Sequence, residues 1–369
     1  MTTEVGDRVA DRRLNPRTLV TAALVLVLVI GLLVVGAVVW KRLHRTHLEE
    51  ALGVVPASSL RVGFTDWAVV RQRLHAHLGD TPDTAAVEGL MNKAYDSDYS
   101  AASSIDEAAA ALQSTFGFSP ATAQWEAYAQ GRKGATMALK VADGTDFDVL
   151  AGNLRSAGYK SPTKDDGVWL GGADLVAGID DTISPELQYV ALLKDRELVI
   201  SSDNPDYAAS AARVAAGDGG SFASVNGVGD LADQLGEPAN AMLWGKDFAC
   251  TDLAMSGADD DAQTQAETRV QQAGGVTPLS GLAMGMQPNR TLRVAEHFED
   301  SERAEKNLRP RAKLAVGEAI GRGGSFSEEF ELTSSKAVGS DVLLVLRPRT
   351  KTGFVLSALY DGPVLFATC

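Results

Sequence analysis

Histidine is the residue type in this sequence that best suits acid–base chemistry near neutral pH, because its ordinary pKa is about 6.5. The chain of 369 residues contains five histidines: His44, His47, His75, His77 and His297. The first two follow closely after the long apolar segment Leu19–Trp40, and the next two are separated by one residue. That spacing directs two side chains to different sides of a helix and not towards one metal ion. We interpret His75 and His77 as surface residues of a helix.

His297 has acidic neighbours in the sequence, Glu296, Glu299 and Asp300, where a predicted strand gives way to a helix. An acidic neighbour can raise the pKa of a histidine and make it respond to pH. An ordinary structural histidine is the favoured interpretation. A hydrolase of unfamiliar type would require a serine and a carboxylate beside His297 or His75.

Other motifs do not indicate chemistry. The sequence contains no Gly-x-Ser-x-Gly nucleophile motif. The segment Gly227–Ala232 partly matches a phosphate-binding turn, but a weak strand precedes it. Asp259, Asp260 and Asp261 lack the alternating spacing of a calcium loop. We therefore predict no catalytic, cofactor-binding or metal-binding residue.

The chain has two cysteines, Cys250 and Cys369. A redox or metal site usually places cysteines close together or adds histidine at ligand spacing, and this sequence shows neither pattern. Two isolated cysteines in an exported domain more often form a structural bridge. We predict a Cys250–Cys369 disulfide, with two free thiols as the alternative.

The segment Leu19–Trp40 carries no charged residue and is rich in leucine and valine. As a helix it would span about 33 Å, enough for the hydrocarbon core of a bilayer. Its length and the basic residues Lys41 and Arg42 directly after it do not fit a cleaved signal peptide. We predict an uncleaved anchor through which the chain contacts the lipid bilayer.

The orientation of this anchor is predicted from the region downstream of it. Basic residues flank the segment on both sides, at positions Arg8, Arg12, Arg13 and Arg17 before it and Lys41, Arg42 and Arg45 after it. This balance does not decide the orientation. The long downstream region and the two distant cysteines favour a single-pass protein of the cell membrane, with residues 1–18 in the cytoplasm and the C-terminal region extracytoplasmic.

Composition excludes one class of partner. The net charge is −14, and no strongly basic run occurs beyond the flank of the anchor. Nucleic acid is therefore not an expected partner, because binding to it needs clustered lysine and arginine. An acidic surface also argues against broad adhesion to anionic lipid.

The rest of the chain predicts an α+β fold of repeated strand–helix modules on largely antiparallel sheets. Each module has an alternating strand, a polar cap such as Asp66 or Asp146, and an amphipathic helix. A hairpin is predicted over Leu187–Ser202, followed by a helix that starts near Pro205 and ends at Gly217. A further module begins at Leu292 and continues to Gly321, with a kink before Pro310.

The C-terminal part predicts a β-meander, with runs at Phe326–Leu332, Asp341–Leu346, Phe354–Leu359 and Val364–Ala367. The polar stretch Ser256–Gly275 is interpreted as a loop or a solvated helix. We divide the chain into a juxtamembrane stalk (41–55), an α+β domain (56–255), and a second domain or continuation (276–369).

The motifs SSDNPDYAASAA and GDGGSFAS, together with the strand over Leu198–Asp203, resemble a family of uncharacterised, membrane-anchored bacterial envelope proteins. The resemblance covers mainly residues 130–225. It implies architecture and location, and it carries over no catalytic residue.

These features favour a non-enzymatic envelope protein that acts as an extracytoplasmic scaffold or accessory partner of another envelope protein. The alternative is a small-molecule or lipid-binding module with a groove between the sheet and its helices.

Overall fold

A computed structural model describes residues 45–369, except residues 80, 165, 254 and 352. Thr46–Cys369 form one compact unit. The predicted cytoplasmic tail and the predicted anchor Leu19–Trp40 lie outside the described residues. Within the described part of the chain, no helix is both long and apolar enough to cross a bilayer.

One antiparallel sheet of eleven strands forms the centre of the fold. In chain order its strands are β1 Ser59–Thr65, β2 Ala123–Gly131, β3 Gly134–Val141, β4 Val168–Leu170, β5 Tyr189–Leu193, β6 Leu198–Ser202, β7 Asn240–Gly245, β8 Gly281–Met286, β9 Leu292–His297, β10 Phe330–Val338 and β11 Asp341–Pro348. Across the sheet they follow the order β10-β11-β9-β8-β7-β1-β2-β3-β6-β5-β4. The predicted α+β class with antiparallel pairing is confirmed, and a single sheet crosses the position of the proposed domain boundary.

Helices cover both faces of the sheet. They are α1 His47–Leu52, α2 Trp67–Arg73, α3 Thr84–Asp96, α4 Ala109–Phe116, α5 Phe147–Ser156, α6 Ala173–Ile179, α7 Pro205–Ala216, α8 Val228–Leu235, α9 Ala249–Asp252, α10 Asp260–Ala273, α11 Ser301–Leu314, α12 Phe326–Glu329 and α13 Leu356–Tyr360. Because successive strand residues point to opposite faces, Leu243 packs with α1, α7 and α8, while Trp244 packs with the helices of the other layer. Leu48 and Leu52 of α1 are buried, so part of the segment assigned to the stalk belongs to the core.

The two halves of the chain repeat one topology. In the first half the neighbouring strands are β1-β2-β3-β6-β5, and in the second they are β7-β8-β9-β11-β10. Each half has a strand, helices, a hairpin, a helix and a second hairpin, and β1 pairs antiparallel with β7 where the halves meet. The repeating unit is thus larger than the strand–helix module that the sequence predicts.

A short motif marks the repeat in the sequence. Gly117–Ala123 reads GFSPATA and leads into β2, while Gly275–Gly281 reads GVTPLSG and leads into β8. In both copies an asparagine of the following long helix holds the motif region. Asn153 Nδ2 donates to the Phe116 carbonyl at 3.0 Å, and Asn307 Oδ1 accepts from the Thr277 amide at 2.9 Å.

Local signals in the sequence place several helices correctly. Asp66 caps α2 by accepting from the Val69 amide, and Asp146 caps α5 by accepting from the Asp148 amide. The predicted hairpin is formed by β5 and β6, and α7 runs from Pro205 to a left-handed Gly217. Pro310 lies inside α11, which ends at Leu314 and not near Gly321.

The predicted C-terminal meander is partly wrong. β10 and β11 are strands, but Phe326–Glu329 is a short helix that precedes β10. The predicted strand at Phe354–Leu359 is replaced by α13, and Val364–Ala367 contains a single 3₁₀ turn. The polar stretch before Gly275 contains the regular helix α10, capped by Asp259.

The strand ends define two ends of the central sheet. At the end that we call the Asp66 end lie Thr65, Ala123, Val141 and Asn240, which are the adjoining termini of β1, β2, β3 and β7. At the opposite end, called the Ser59 end, lie the start of β1 and the β2–β3 turn. The eight residues of β3 separate the two ends by about 27 Å.

Candidate ligand-binding cleft

A cleft of about 790 Å³ opens at the Asp66 end of the sheet. It lies between α5 on one side and α4 with residues 78, 79 and 81–84 on the other, and residues Val141–Asp146 also line it. Its volume is in the range of sites that bind small molecules. The described part of the chain has no group of three or more His, Cys, Asp or Glu arranged to hold a metal ion.

Arg71 fixes the back of this cleft. It projects from α2, and its Nη1 donates to the carbonyls of Pro120 and Ala123 at 2.7 and 2.6 Å. Burial lowers the pKa of Arg71, and the nearby carboxylate of Asp66 opposes that shift. The guanidinium therefore ties α2 to the motif that leads into β2.

Two amide side chains form the polar part of the wall. Gln113 Oε1 accepts from the hydroxyl of Ser119 at 2.7 Å and from that of Thr122 at 3.3 Å. Asn153, on the facing helix, ties α5 to the end of α4. Both amides line the cleft and are held in fixed orientations, as expected of groups that recognise a ligand.

The floor is apolar and the rim is acidic. The apolar residues Phe118, Ala121, Val141 and Leu150 are buried and line the floor. The carboxylates that line the cleft are those of Asp83, Asp143 and Asp146, and Arg71 is the lining cation among the described residues. Val149, on the first turn of α5, is 54% exposed at the mouth. This arrangement fits a molecule with an apolar body and a neutral or cationic polar head.

His297 lies far from this cleft, at the Ser59 end. Its Nδ1 is 2.6 Å from Oδ1 of Asp341, and the two side chains are only 5% and 2% exposed. A Cβ atom at Gly227 would lie 2.6 Å from Nε2 of the ring, so Gly227 covers the other nitrogen. A His–Asp pair can act in acid–base catalysis, but here neither side chain is open to a substrate. The burial of both side chains supports the interpretation of His297 as an ordinary structural residue.

Glu296 is next to His297 in the sequence, but its side chain lies beside Arg311, while His297 pairs with Asp341. The side chain of Glu296 is fully buried and lies 3.6 Å from Nε of the buried Arg311 on α11. Neither carboxylate oxygen of Glu296 has a hydrogen-bond partner among the described residues. Arg311 instead donates to the carbonyls of Phe366 and Thr368 at 2.6 and 3.0 Å, which anchors the C-terminal segment.

Replacing Glu296 by glutamine is expected to remove a pH dependence of stability. Burial raises the pKa of Glu296 from 4.5 to about 7, against the weaker opposing effect of Arg311. Between pH 4.5 and pH 7, the carboxyl group of Glu296 binds its proton more tightly in the folded chain than in the unfolded chain. The free energy of unfolding of the unsubstituted chain should therefore fall by about 3 kcal/mol as pH rises from 4.5 to 7.

Urea unfolding at pH 5 and pH 8 measures this effect, and the difference between the two pH values should be smaller in Glu296→Gln. Glu299→Gln is the matched control, because Glu299 is exposed in the connection that follows β9. Equal pH differences in Glu296→Gln and Glu299→Gln would show that Glu296 is not the titrating group.

The remaining candidates of the sequence do not meet in one site. His75 and His77 are exposed in the segment after α2, not on a helix, and His75 has a left-handed φ of 52°. Gly227 caps the start of α8, which follows a 3₁₀ turn and not a strand. Asp259 caps α10, while Asp260 and Asp261 line an open hollow with Arg322. The predicted disulfide Cys250–Cys369 is confirmed.

Sequence reasoning missed the cleft. The residues that form it come from α2, α4, β3 and α5, and no local pattern connects them. The correspondence of GFSPATA with GVTPLSG marks the repeat of the fold but not the cleft, which is lined by residues of the first half alone.

Comparisons with known proteins identify no family. No family model and no curated protein matches the chain. One solved structure, described as crystal form I of TP0453, is similar over 84% of this chain and 94% of its own length, with a TM-score of 0.33 and 7% sequence identity. We draw no conclusion about fold or function from a similarity of this size.

Proposed function

We propose that this chain is a single-pass envelope protein whose extracytoplasmic α+β domain binds a small amphipathic molecule without catalysing a reaction. The cleft beside Arg71 is the observation that carries the proposal. Its apolar floor can hold a hydrocarbon or ring system, while its amides and acidic rim can bind a neutral or cationic head group. The membrane anchor Leu19–Trp40 and the outward orientation are parts of the proposal that depend on the sequence.

The cleft and the first described residues lie at the same end of the sheet. The mouth of the cleft lies at the Asp66 end of the sheet, and the described chain begins at the same end. His47 Nδ1 is 2.8 Å from Oδ2 of Asp66, a contact that raises the pKa of His47.

Filling the cleft is expected to abolish ligand retention. Ser114 is an exposed residue of α4 that lines the cleft, so Ser114→Trp should occupy the ligand volume with little effect on the core. Native mass spectrometry of the full chain, isolated from its membrane, would measure co-purifying small molecules. We expect the bound fraction to fall at least about tenfold, equivalent to about 1.4 kcal/mol of binding energy.

Ser156→Trp is the matched control, because Ser156 is exposed on α5 outside the cleft. This variant should keep the ligand. Equal retention in both variants, or no small molecule bound to the unsubstituted chain, would count against the cleft as the binding site.

The second candidate function is the scaffold or accessory partner that the sequence favours. It is supported by β10, a strand of nine residues at the edge of the sheet with exposed side chains from Thr333 to Lys336. A free strand edge can pair with a strand of another protein. A protein subunit retained in the native spectra, in place of a small molecule, would favour this second function.

A further inference from the structure

The wall of the cleft in the first half of the chain has a counterpart in the second half. In each half a helix follows an aspartate cap, and an asparagine lies seven positions after that cap: Asn153 after Asp146, and Asn307 after Asp300. In each half this asparagine also forms a hydrogen bond with the repeat motif or with the residue directly before it. The helix and the motif that form the cleft wall are therefore present twice.

The counterparts of the cleft residues are buried in the second half. Alignment of GFSPATA with GVTPLSG pairs Ala121, which lines the cleft, with Leu279. Leu279 is 2% exposed, and Asn307 is 1% exposed, whereas Asn153 is only half-buried. This part of the second half is therefore closed to solvent.

The C-terminal segment of the chain, residues 364–369, lies beside these counterparts. Nε of Arg311 is 3.3 Å from Oδ1 of Asn307 on the same helix. The other nitrogens of this guanidinium donate to the carbonyls of Phe366 and Thr368 at 2.6 and 3.0 Å. One side chain thus joins the C-terminal segment to the helix that corresponds to α5.

The disulfide holds the end of this segment at the second motif. Cys369 is bonded to Cys250, and Sγ of Cys250 is 3.9 Å from the carbonyl oxygen of Leu279. The residues Val364–Ala367 are at most 1% exposed, so the segment adds apolar side chains to the interior. In the second half, a short apolar peptide of the chain itself therefore lies beside the motif, where the first half has an open cleft.

The open cleft offers the two polar groups that a peptide bond needs. Gln113 Oε1 accepts from the hydroxyls of Ser119 and Thr122, and Asn153 Nδ2 donates to the Phe116 carbonyl. No described residue accepts from Nε2 of Gln113 or donates to Oδ1 of Asn153. The wall therefore has a free donor and a free acceptor, which match the carbonyl and the N–H of a peptide group.

The first half lacks the groups that fix the C-terminal segment in the second half. Arg311 follows Asn307 by four positions, and the residue four positions after Asn153 is Ala157. Both cysteines of the chain are used in the bridge of the second half. The cleft therefore suits a separate peptide that is held by neutral amides and by the apolar floor, and that can exchange.

We propose that the ligand of the cleft is a short peptide of another protein, with two neighbouring apolar side chains. The inference rests on the proposed function and names the chemical class of its ligand. The apolar side chains lie on the floor, while a peptide carbonyl accepts from Gln113 Nε2 and a peptide N–H donates to Asn153 Oδ1. The C-terminal segment of the chain itself is not the occupant, because the Cys250–Cys369 bridge holds it in the second half.

The test uses the full chain, isolated from its membrane in a mild detergent, and a pool of acetylated hexapeptide amides with a central apolar pair. The pool includes Pro-Val-Leu-Phe-Ala-Thr, the sequence of residues 363–368. Native mass spectrometry measures the retained peptides. We expect Gln113→Glu to lower their retention about tenfold, because glutamate keeps the two hydroxyl contacts but loses the free donor.

Gln72→Glu is the matched control, because Gln72 is exposed on α2 outside the cleft and the substitution adds the same charge. This variant should retain the peptides as the unsubstituted chain does. Ser114→Trp, which leaves both wall amides in place, should release them. Equal retention by the unsubstituted chain and either cleft variant would show that the peptides bind elsewhere and would overturn the inference.

Two further results separate this inference from the proposed function. A non-peptide molecule that depends on Ser114, with no peptide retained by the unsubstituted chain, would overturn the peptide class and leave the cleft as a binding site. Tighter binding of the ligand to Gln113→Glu would do the same, because it indicates a cationic head group. Retention of neither a peptide nor a small molecule would overturn the inference and the proposed function together.

Discussion

Replacing Asp98 by alanine is expected to lower the free energy of unfolding by about 3 to 4 kcal/mol. Asp98 is 2% exposed, and it accepts from the amides of Val355 and Leu356 and from the hydroxyl of Ser357. Removal of the carboxylate leaves two amide donors at the start of α13 without an acceptor in a buried environment. Asp98 also has a left-handed φ of 60°, which alanine adopts with strain.

Urea unfolding of the full chain in a mild detergent, followed by tryptophan fluorescence, would measure this loss. Asp98→Asn should cost less than Asp98→Ala, because asparagine tolerates the left-handed conformation and keeps one acceptor oxygen. Asp96→Ala is the matched control on exposed α3 surface and should change stability by less than about 0.5 kcal/mol. If Asp98→Ala is no less stable than this control, the carboxylate of Asp98 does not stabilise the start of α13.

Removing the disulfide is expected to have the largest effect. Cys250 and Cys369 are 119 positions apart, so loss of the bridge should cost about 4 to 5 kcal/mol through the entropy of the unfolded chain. The double variant Cys250→Ser with Cys369→Ser should unfold at a lower urea concentration than the native chain. The bridge fixes the C-terminal end of the chain, where the side chains of Leu365 and Phe366 are at most 1% exposed.

A reducing agent supplies the control for this second prediction. It should destabilise the native chain to the level of the double variant, and it should leave the double variant unchanged. The contacts from Arg311 to the carbonyls of Phe366 and Thr368 remain after reduction, so the segment should loosen without loss of the whole fold. Equal midpoints for the native and double-variant chains under oxidising conditions would show that the bridge contributes no stability.

Helix starts and ends could be predicted because their signals are local. Asp66, Asp146 and the Asn204-Pro205 pair each act within three residues of the amides that they satisfy or precede. Gly217 likewise ends α7 through its own backbone conformation. Neighbouring residues are enough to decide such positions, whatever the rest of the chain does.

The errors occur where distant residues decide the local structure. Leu356–Tyr360 has the apolar composition of a strand, but Asp98 caps it as a helix across a separation of 257 residues or more. His297 has three acidic neighbours in the sequence, yet its partner is Asp341 on the adjacent strand. The register between neighbouring strands brings such pairs together, and the sequence of a single strand does not specify that register.

The sequence alone determined an α+β chain with antiparallel strands, the main helix caps, and two cysteines suited to a bridge. The absence of a recognised catalytic motif and the prediction of an anchor at Leu19–Trp40 also come from the sequence. All of these depend on composition or on neighbouring residues. Tertiary structure decided which charges are buried together, such as Glu296 with Arg311, and where the cleft lies. These features join residues from separate strands and helices, so they exist only once the sheet has assembled.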